Sequence, residues 1–130
     1  MVTQNSLTEF GTQSMSVKHM SENGNQAFTL ITHDEDIERA SRSMKAMSHP
    51  LRLKILCTLG EKEYSVQDIV EQVGTSQSNI SQHLAILRDK GILASRKDAN
   101  RVYYRVSDAR TLRLISMMRE VFCSFCGSNT

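Results

Sequence analysis

The chain has 130 residues, 39% of them hydrophobic and 23% charged, with a net charge of +2. That length suits one small domain with a tail, and the composition is ordinary for a soluble globular chain. No apolar run nears the ~18 residues of a membrane-spanning helix, and no basic-then-apolar secretory segment opens the chain, so a cytoplasmic protein is expected, with no membrane partner. The net charge is too small to prove a nucleic-acid partner, so its distribution must decide, and that is uneven. Between Arg88 and Arg113 there are eight Lys or Arg against three Asp.

Residues 1–33 are rich in Ser, Thr, Asn, Gln and Gly and hold no sustained period, which predicts a mobile N-terminal tail. A first helix is predicted over Asp34–Met47. Asp34, Glu35 and Asp36 put negative charge at its positive end, and Ile37, Ala40, Met44 and Met47 form an apolar stripe. Pro50, a good first-turn residue, starts a second helix with Leu51, Leu53, Ile55, Leu56 and Leu59, and Gly60 stops it. Ser65 and Asp68 have capping-box spacing. They start a short third helix with Val66, Ile69, Val70 and Val73 inward and Gly74 at its end.

The stretch Ser76–Leu93 carries the most information. Ser76 is a helix cap by type, Gly91 a helix terminator, and Ile80, Leu84 and Leu87 share one face. The leading turns carry Gln77, Ser78, Asn79, Ser81, Gln82 and His83. Such side chains both donate and accept, as base edges in a DNA groove require. A plain solvated face is the alternative, but solvated faces lean on Lys and Glu. Two short helices around a Gly-containing turn, the second with a polar leading face, form a helix-turn-helix pattern. Next come predicted strands at residues 92–98 and 101–106, joined by a turn at Asp98-Ala99-Asn100. Arg96, Lys97 and Arg101 lie near the tip of this hairpin, and with Arg88 they are candidate phosphate contacts. Ser107 is expected to cap a last helix from Asp108 to about Ser124. Its Leu112, Ile115, Met118, Val121, Phe122 and Phe125 are too many apolar residues for a terminal helix with nothing to cover it. A homodimer through the first and last helices would cover them. The domain therefore runs from residue 34 to 126, with 127–130 as a C-terminal tail. The fold class is mainly α with a small β-hairpin, a winged helix-turn-helix.

At this point the chain resembles a known family. The runs Met47–Leu56 (MSHPLRLKIL), Ser65–Ile69 (SVQDI), Ser76–Leu84 (SQSNISQHL), Leu87–Leu93 (LRDKGIL) and Arg101–Arg105 (RVYYR) resemble the ArsR/SmtB family of bacterial repressors. The likeness covers about residues 37–123. It implies a homodimeric winged-helix repressor that binds double-stranded operator DNA and leaves it when an inducer arrives. The metal sites of that family do not carry over. The third helix reads Tyr64-Ser-Val-Gln-Asp68, without the Cys-Val-Cys of the arsenite and cadmium sensors. The last helix lacks the His residues of the zinc sensors, and zinc wants about four N or S ligands. No metal site and no cofactor are therefore expected.

The cysteines fit another branch. Cys57 in the second helix and Cys123 at the end of the last resemble the paired thiols of the redox- and persulfide-responsive members, the BigR, SqrR and HlyU types. The resemblance implies an inducer that is a small sulfane-sulfur compound or an oxidant, bridging Cys57 and Cys123, and target genes in sulfur metabolism or sulfide response. Taken alone, Cys57 reads as a packing residue and Cys123 as a stray thiol that its helix dipole does not activate, although Arg119 lies one turn away. Cys126 completes a CxxC with Cys123 that trails a helix instead of leading one, so it makes a weak redox motif. It offers a third thiol, which keeps open an arsenite or soft-metal site with Cys57 and Cys123. The sequence shows no Gly-rich phosphate loop and no catalytic constellation, so an enzyme is not expected; a thiol–disulfide reductase is the distant alternative.

Overall fold

The computed structural model describes residues 27–123. Within them five helices and three strands follow in the order α1 (Asp34–Met47), α2 (Pro50–Leu59), β1 (Tyr64–Ser65), α3 (Val66–Val73), α4 (Gln77–Asp89), β2 (Leu93–Asp98), β3 (Arg101–Val106) and α5 (Ala109–Phe122). The sheet is antiparallel in the order β1-β3-β2. This is a winged helix-turn-helix, mainly α with a small sheet. The expected tail lies largely outside the described residues, as do Ser124, Phe125, Cys126 and the expected 127–130 tail. Residues 27–33 hold no helix or strand.

Helix α1 crosses between two units, the first ending at Arg42 and the second starting at Ser43. In the first, the acidic start of the helix pairs with its own next turn: Arg39 reaches Asp36 at 3.0 Å and Arg42 reaches Glu38 at 3.8 Å. Ile37 is exposed there. The stripe predicted along α1 therefore has more than one fate. In the second unit Ala46 and Met47 enter the core, while Met44 is 59% exposed.

The core of the second unit is built where α2, α3 and α4 meet the sheet. Ile55, Leu56 and Leu59 of α2, Ile69 of α3, and Ile80, Leu84 and Leu87 of α4 are almost completely buried, with Leu93 of β2. Local chemistry sets the helix ends. Pro50 opens α2, and the Nδ1 of His49 accepts the Leu51 N–H at 3.1 Å. The predicted capping box of α3 is present in both directions: Ser65 Oγ accepts the Asp68 N–H, and Asp68 accepts the Ser65 N–H. Ser76 Oγ accepts the Asn79 N–H to cap α4. At the other end Gly91 sits at φ +77, and the N–H groups of Gly91 and Ile92 return to the carbonyls of Arg88 and Leu87. That is the paired closure of a Schellman motif, which needs a left-handed residue at this point.

Three expectations are corrected. Asp108, not Ser107, caps the last helix, its carboxylate accepting the Arg110 N–H at 2.9 Å. Ser107 is still held by the strands, because its N–H donates to the Ile92 carbonyl. The first strand of the wing starts at Leu93, and Asp98 pairs with Arg101 across a turn of two residues, Ala99 and Asn100. Finally, β1 was not expected. Tyr64 and Ser65 pair with Tyr104 and Tyr103, so the wing is rooted to the start of α3.

No residue of α5 is fully buried. Ile115 packs against the core, and Leu112 and Met118 are half-buried. Leu114, Met117, Val121 and Phe122 are exposed, Phe122 by 77%. The surplus of apolar residues on this helix is real. Its most exposed part includes Leu114 and Met117, which the predicted stripe omitted.

Candidate functional site

Helix α4 turns its core residues inward, which forces the residues between them outward. Gln77, Ser78, Ser81 and Gln82 are exposed on its leading turns, and Arg88 is exposed at its end, 3.8 Å from Asp89. Two of the six residues singled out in the sequence point elsewhere. Asn79 is half-buried and donates its side-chain amide to Thr75 Oγ1 at 3.2 Å. His83 is half-buried on the flank towards α2, where its Nδ1 lies 3.1 Å from Arg52 Nη1 and its ring 4.4 Å from the His49 ring. Burial, then His49, then Arg52 push its pKa below the usual 6.5. The exposed polar face of these turns is therefore Gln77, Ser78, Ser81 and Gln82.

The three basic residues of the wing are likewise not equivalent. Arg96 forks onto Glu63 with contacts of 2.9–3.0 Å, lies 3.6 Å from Asp98, and stacks over Tyr103 at 4.7 Å. Its hydrogen bonds hold the Glu63 carboxyl below the usual range. Much of the Arg96 charge is thus answered within the fold. Lys97 and Arg101 are exposed and belong to no ion pair formed among the described residues. They carry the net positive charge of the wing tip.

A second feature lies away from this face. Helices α2 and α5 enclose an open hollow of about 600 Å³ whose walls are largely apolar, from Leu53 and Leu56 to Leu112, Ile115, Met118 and Phe122. Cys57 and Cys123 both line it, with Arg119 and Ser116. Both cysteines are exposed and neither is in a disulfide. Partial burial of the Cys57 thiol against these walls raises its pKa above the usual 9.0. Cys123 closes the end of α5, its N–H donating to the Arg119 carbonyl at 2.8 Å. Cys126 lies outside the described residues. Among the described residues no three His, Cys, Asp or Glu side chains gather to hold a metal ion.

Comparison with known proteins agrees with this geometry. A family described as "Bacterial regulatory protein, arsR family" matches residues 49–95. The biofilm growth-associated repressor of Xylella fastidiosa is 35% identical over 94 residues, 69% of this chain and 82% of that protein. The chain belongs to the ArsR family. This ArsR-family protein is also 40% identical to the HTH-type transcriptional regulator YgaV of Escherichia coli, over 66% of the chain and 88% of YgaV. Among solved structures, HlyU from Vibrio cholerae superposes with a TM-score of 0.65 at 35% identity, covering 70% of this chain and 99% of HlyU. The transcriptional repressor BigR from Xylella fastidiosa does so with a TM-score of 0.60 at 37% identity, covering 70% and 97%. The protein is thus a helix-turn-helix transcriptional regulator and not an enzyme. Among the described residues no helix is long and apolar enough to cross a membrane.

Proposed function

We propose that this ArsR-family regulator is a homodimeric repressor that leaves its operator when sulfur bridges Cys57 and Cys123. The observation that carries the reading is that both thiols line one apolar hollow, although 66 residues separate them in sequence. Apolar walls suit an uncharged or weakly hydrated sulfur donor better than a metal ion, whose ligands need solvation or charge.

The chemistry balances without an outside oxidant. Each thiolate attacks the outer sulfur of an organic persulfide RSSH, takes it, and releases RSH. One protein persulfide then attacks the inner sulfur of the other. A trisulfide joins Cys57 to Cys123, and one molecule of hydrogen sulfide leaves. In sum, two thiols and two RSSH give the trisulfide, two RSH and one hydrogen sulfide. The bridge ties α2 to α5. We place a second copy on the exposed Leu114, Met117, Val121 and Phe122, so a strained α5 shifts the spacing of two α4 helices in grooves about 34–36 Å apart. Release by a factor of 100 requires about 2.7 kcal/mol between the states.

Gln77, Ser78, Ser81 and Gln82 read bases, and Arg88, Lys97 and Arg101 hold phosphates. Arg96 braces the wing. The likeness to relatives named repressors and the accessible thiols support this reading. Its test is a gel shift with and without an organic persulfide, paired with intact-protein mass. Wild type releases DNA as the mass rises by one sulfur less two hydrogens. Full release by Cys57→Ser or Cys123→Ser overturns the paired-thiol mechanism.

A further inference from the structure

Arg52 holds two elements at once. Its Nε donates to the Ala46 carbonyl near the end of α1 at 2.6 Å, and its Nη1 reaches His83 Nδ1 on α4 at 3.1 Å. An arginine has no acceptor to offer. His83 Nδ1 must therefore be the acceptor, the ring neutral, and its proton on Nε2. His49 is fixed in the same tautomer, because its Nδ1 accepts the Leu51 N–H. The two rings lie 4.4 Å apart, tilted by 40°. The exposed face proposed to read DNA ends one residue before His83, at Gln82.

We propose that Arg52 is a positioning residue for the reading helix, acting through neutral His83 against His49, and that acid breaks this contact and weakens sequence-specific DNA binding. The inference rests on the reading of α4 as the DNA-reading helix. A proton on Nδ1 would set two N–H donors against each other at the distance now spanned by one hydrogen bond. It would also set two cations together with a second imidazole tilted beside them. The charges acting on His83 are those of His49, just before α2, and Arg52, on α2, and both oppose the cation. Helix α3 and strand β2, which also pack on α4, contribute none. The flank of α4 is then released where it meets α2, and its first two turns lose their fixed angle to the wing. No thiol takes part, so this is a second input, separate from the sulfur bridge.

The sign distinguishes this from simple electrostatics. Protonating histidines adds positive charge, which strengthens non-specific attraction to phosphates. The contact described here predicts the opposite for the specific site. The test has two arms on the full chain. In the first, NMR follows the His83 ring and the amides of Arg52 and Gln77–Gln82 between about pH 5 and pH 8. All should move with one midpoint, and Arg52→Gln should raise it. In the second, fluorescence anisotropy compares a duplex selected by the protein from a random library with an unrelated duplex. Affinity for the selected duplex should fall tenfold or more on acidification, and affinity for the unrelated one should not. In His83→Asn, whose Oδ1 takes the place of Nδ1 but does not titrate, that acid loss should disappear. A His83 ring that titrates without moving Arg52 or α4, or a His83→Asn variant that keeps the whole acid loss, overturns the proposal. Failure to select any duplex would count against DNA reading by α4, and the NMR arm would still decide the contact.

Discussion

Ser65 and Ser76 cap consecutive helices with the same hydroxyl chemistry, each accepting an N–H from three residues on at 3.2 Å. Their surroundings differ. Ser65 is completely buried and Ser76 is exposed. Replacing a serine cap by alanine costs about 1 kcal/mol where water can take over the orphan N–H. That is the whole cost expected for Ser76→Ala. At Ser65 the hydroxyl is fully buried and its bond to the Asp68 N–H part-buried, so water replaces it poorly, which adds about 1 kcal/mol. Ser65→Ala should therefore cost about 2 kcal/mol, and thermal midpoints should separate by roughly 4–8 °C between the two variants. The assay is thermal and urea unfolding followed by circular dichroism. All three proteins must be at one protomer concentration, because self-association shifts the midpoint. Equal losses, or a larger loss at Ser76, would refute the claim that burial sets the worth of these caps.

Two further outcomes are expected. Ala99 turns the wing tip at φ +57, where an L residue pays about 1–2 kcal/mol and glycine only its extra chain entropy of about 0.5–1 kcal/mol. Ala99→Gly should raise the unfolding free energy by up to about 1 kcal/mol in a urea titration, and a clear loss would show that the turn is unstrained. Burial holds Cys57 as a thiol above the usual 9.0, and only the thiolate reacts. In a variant with Cys123 and Cys126 replaced by serine, alkylation by iodoacetamide should accelerate with pH through a midpoint above 9.0. A midpoint near neutrality would mean that the hollow activates this sulfur.

The sequence was most informative where the deciding chemistry is local. The ends of α1 to α4 follow from Asp34, Pro50, Ser65, Ser76, Gly60, Gly74 and Gly91, each acting within a turn of its own position. It was silent where the partner is remote. Strand β1 is two residues long and exists only because β3 lies beside it. Arg96 looks like a free wing cation until Glu63, 33 residues earlier, takes its guanidinium. His83 looks like its polar neighbours until Arg52, 31 residues earlier, turns it to the flank. Ser107 and Asp108 are both good caps by type. A strand bond from the Ser107 N–H to Ile92 decides between them, and helical periodicity carries no trace of it.

The short strand β1 has a topological consequence. Ser65 pairs with Tyr103 and Tyr64 with Tyr104, so the chain between them returns on itself through a neck two residue pairs wide. The exposed polar face of α4 and the tip of the wing lie inside that loop. Cys57 lies before the neck and Cys123 after it. Under the proposed function, signal and readout are thus carried on separate lengths of one polypeptide. An event at the thiols has few routes inward: through the neck, or across the packing of α2 and α5 on the loop. On that proposal, α2 and α5 can be rebuilt around different chemistry while the enclosed loop keeps its polar face and wing tip.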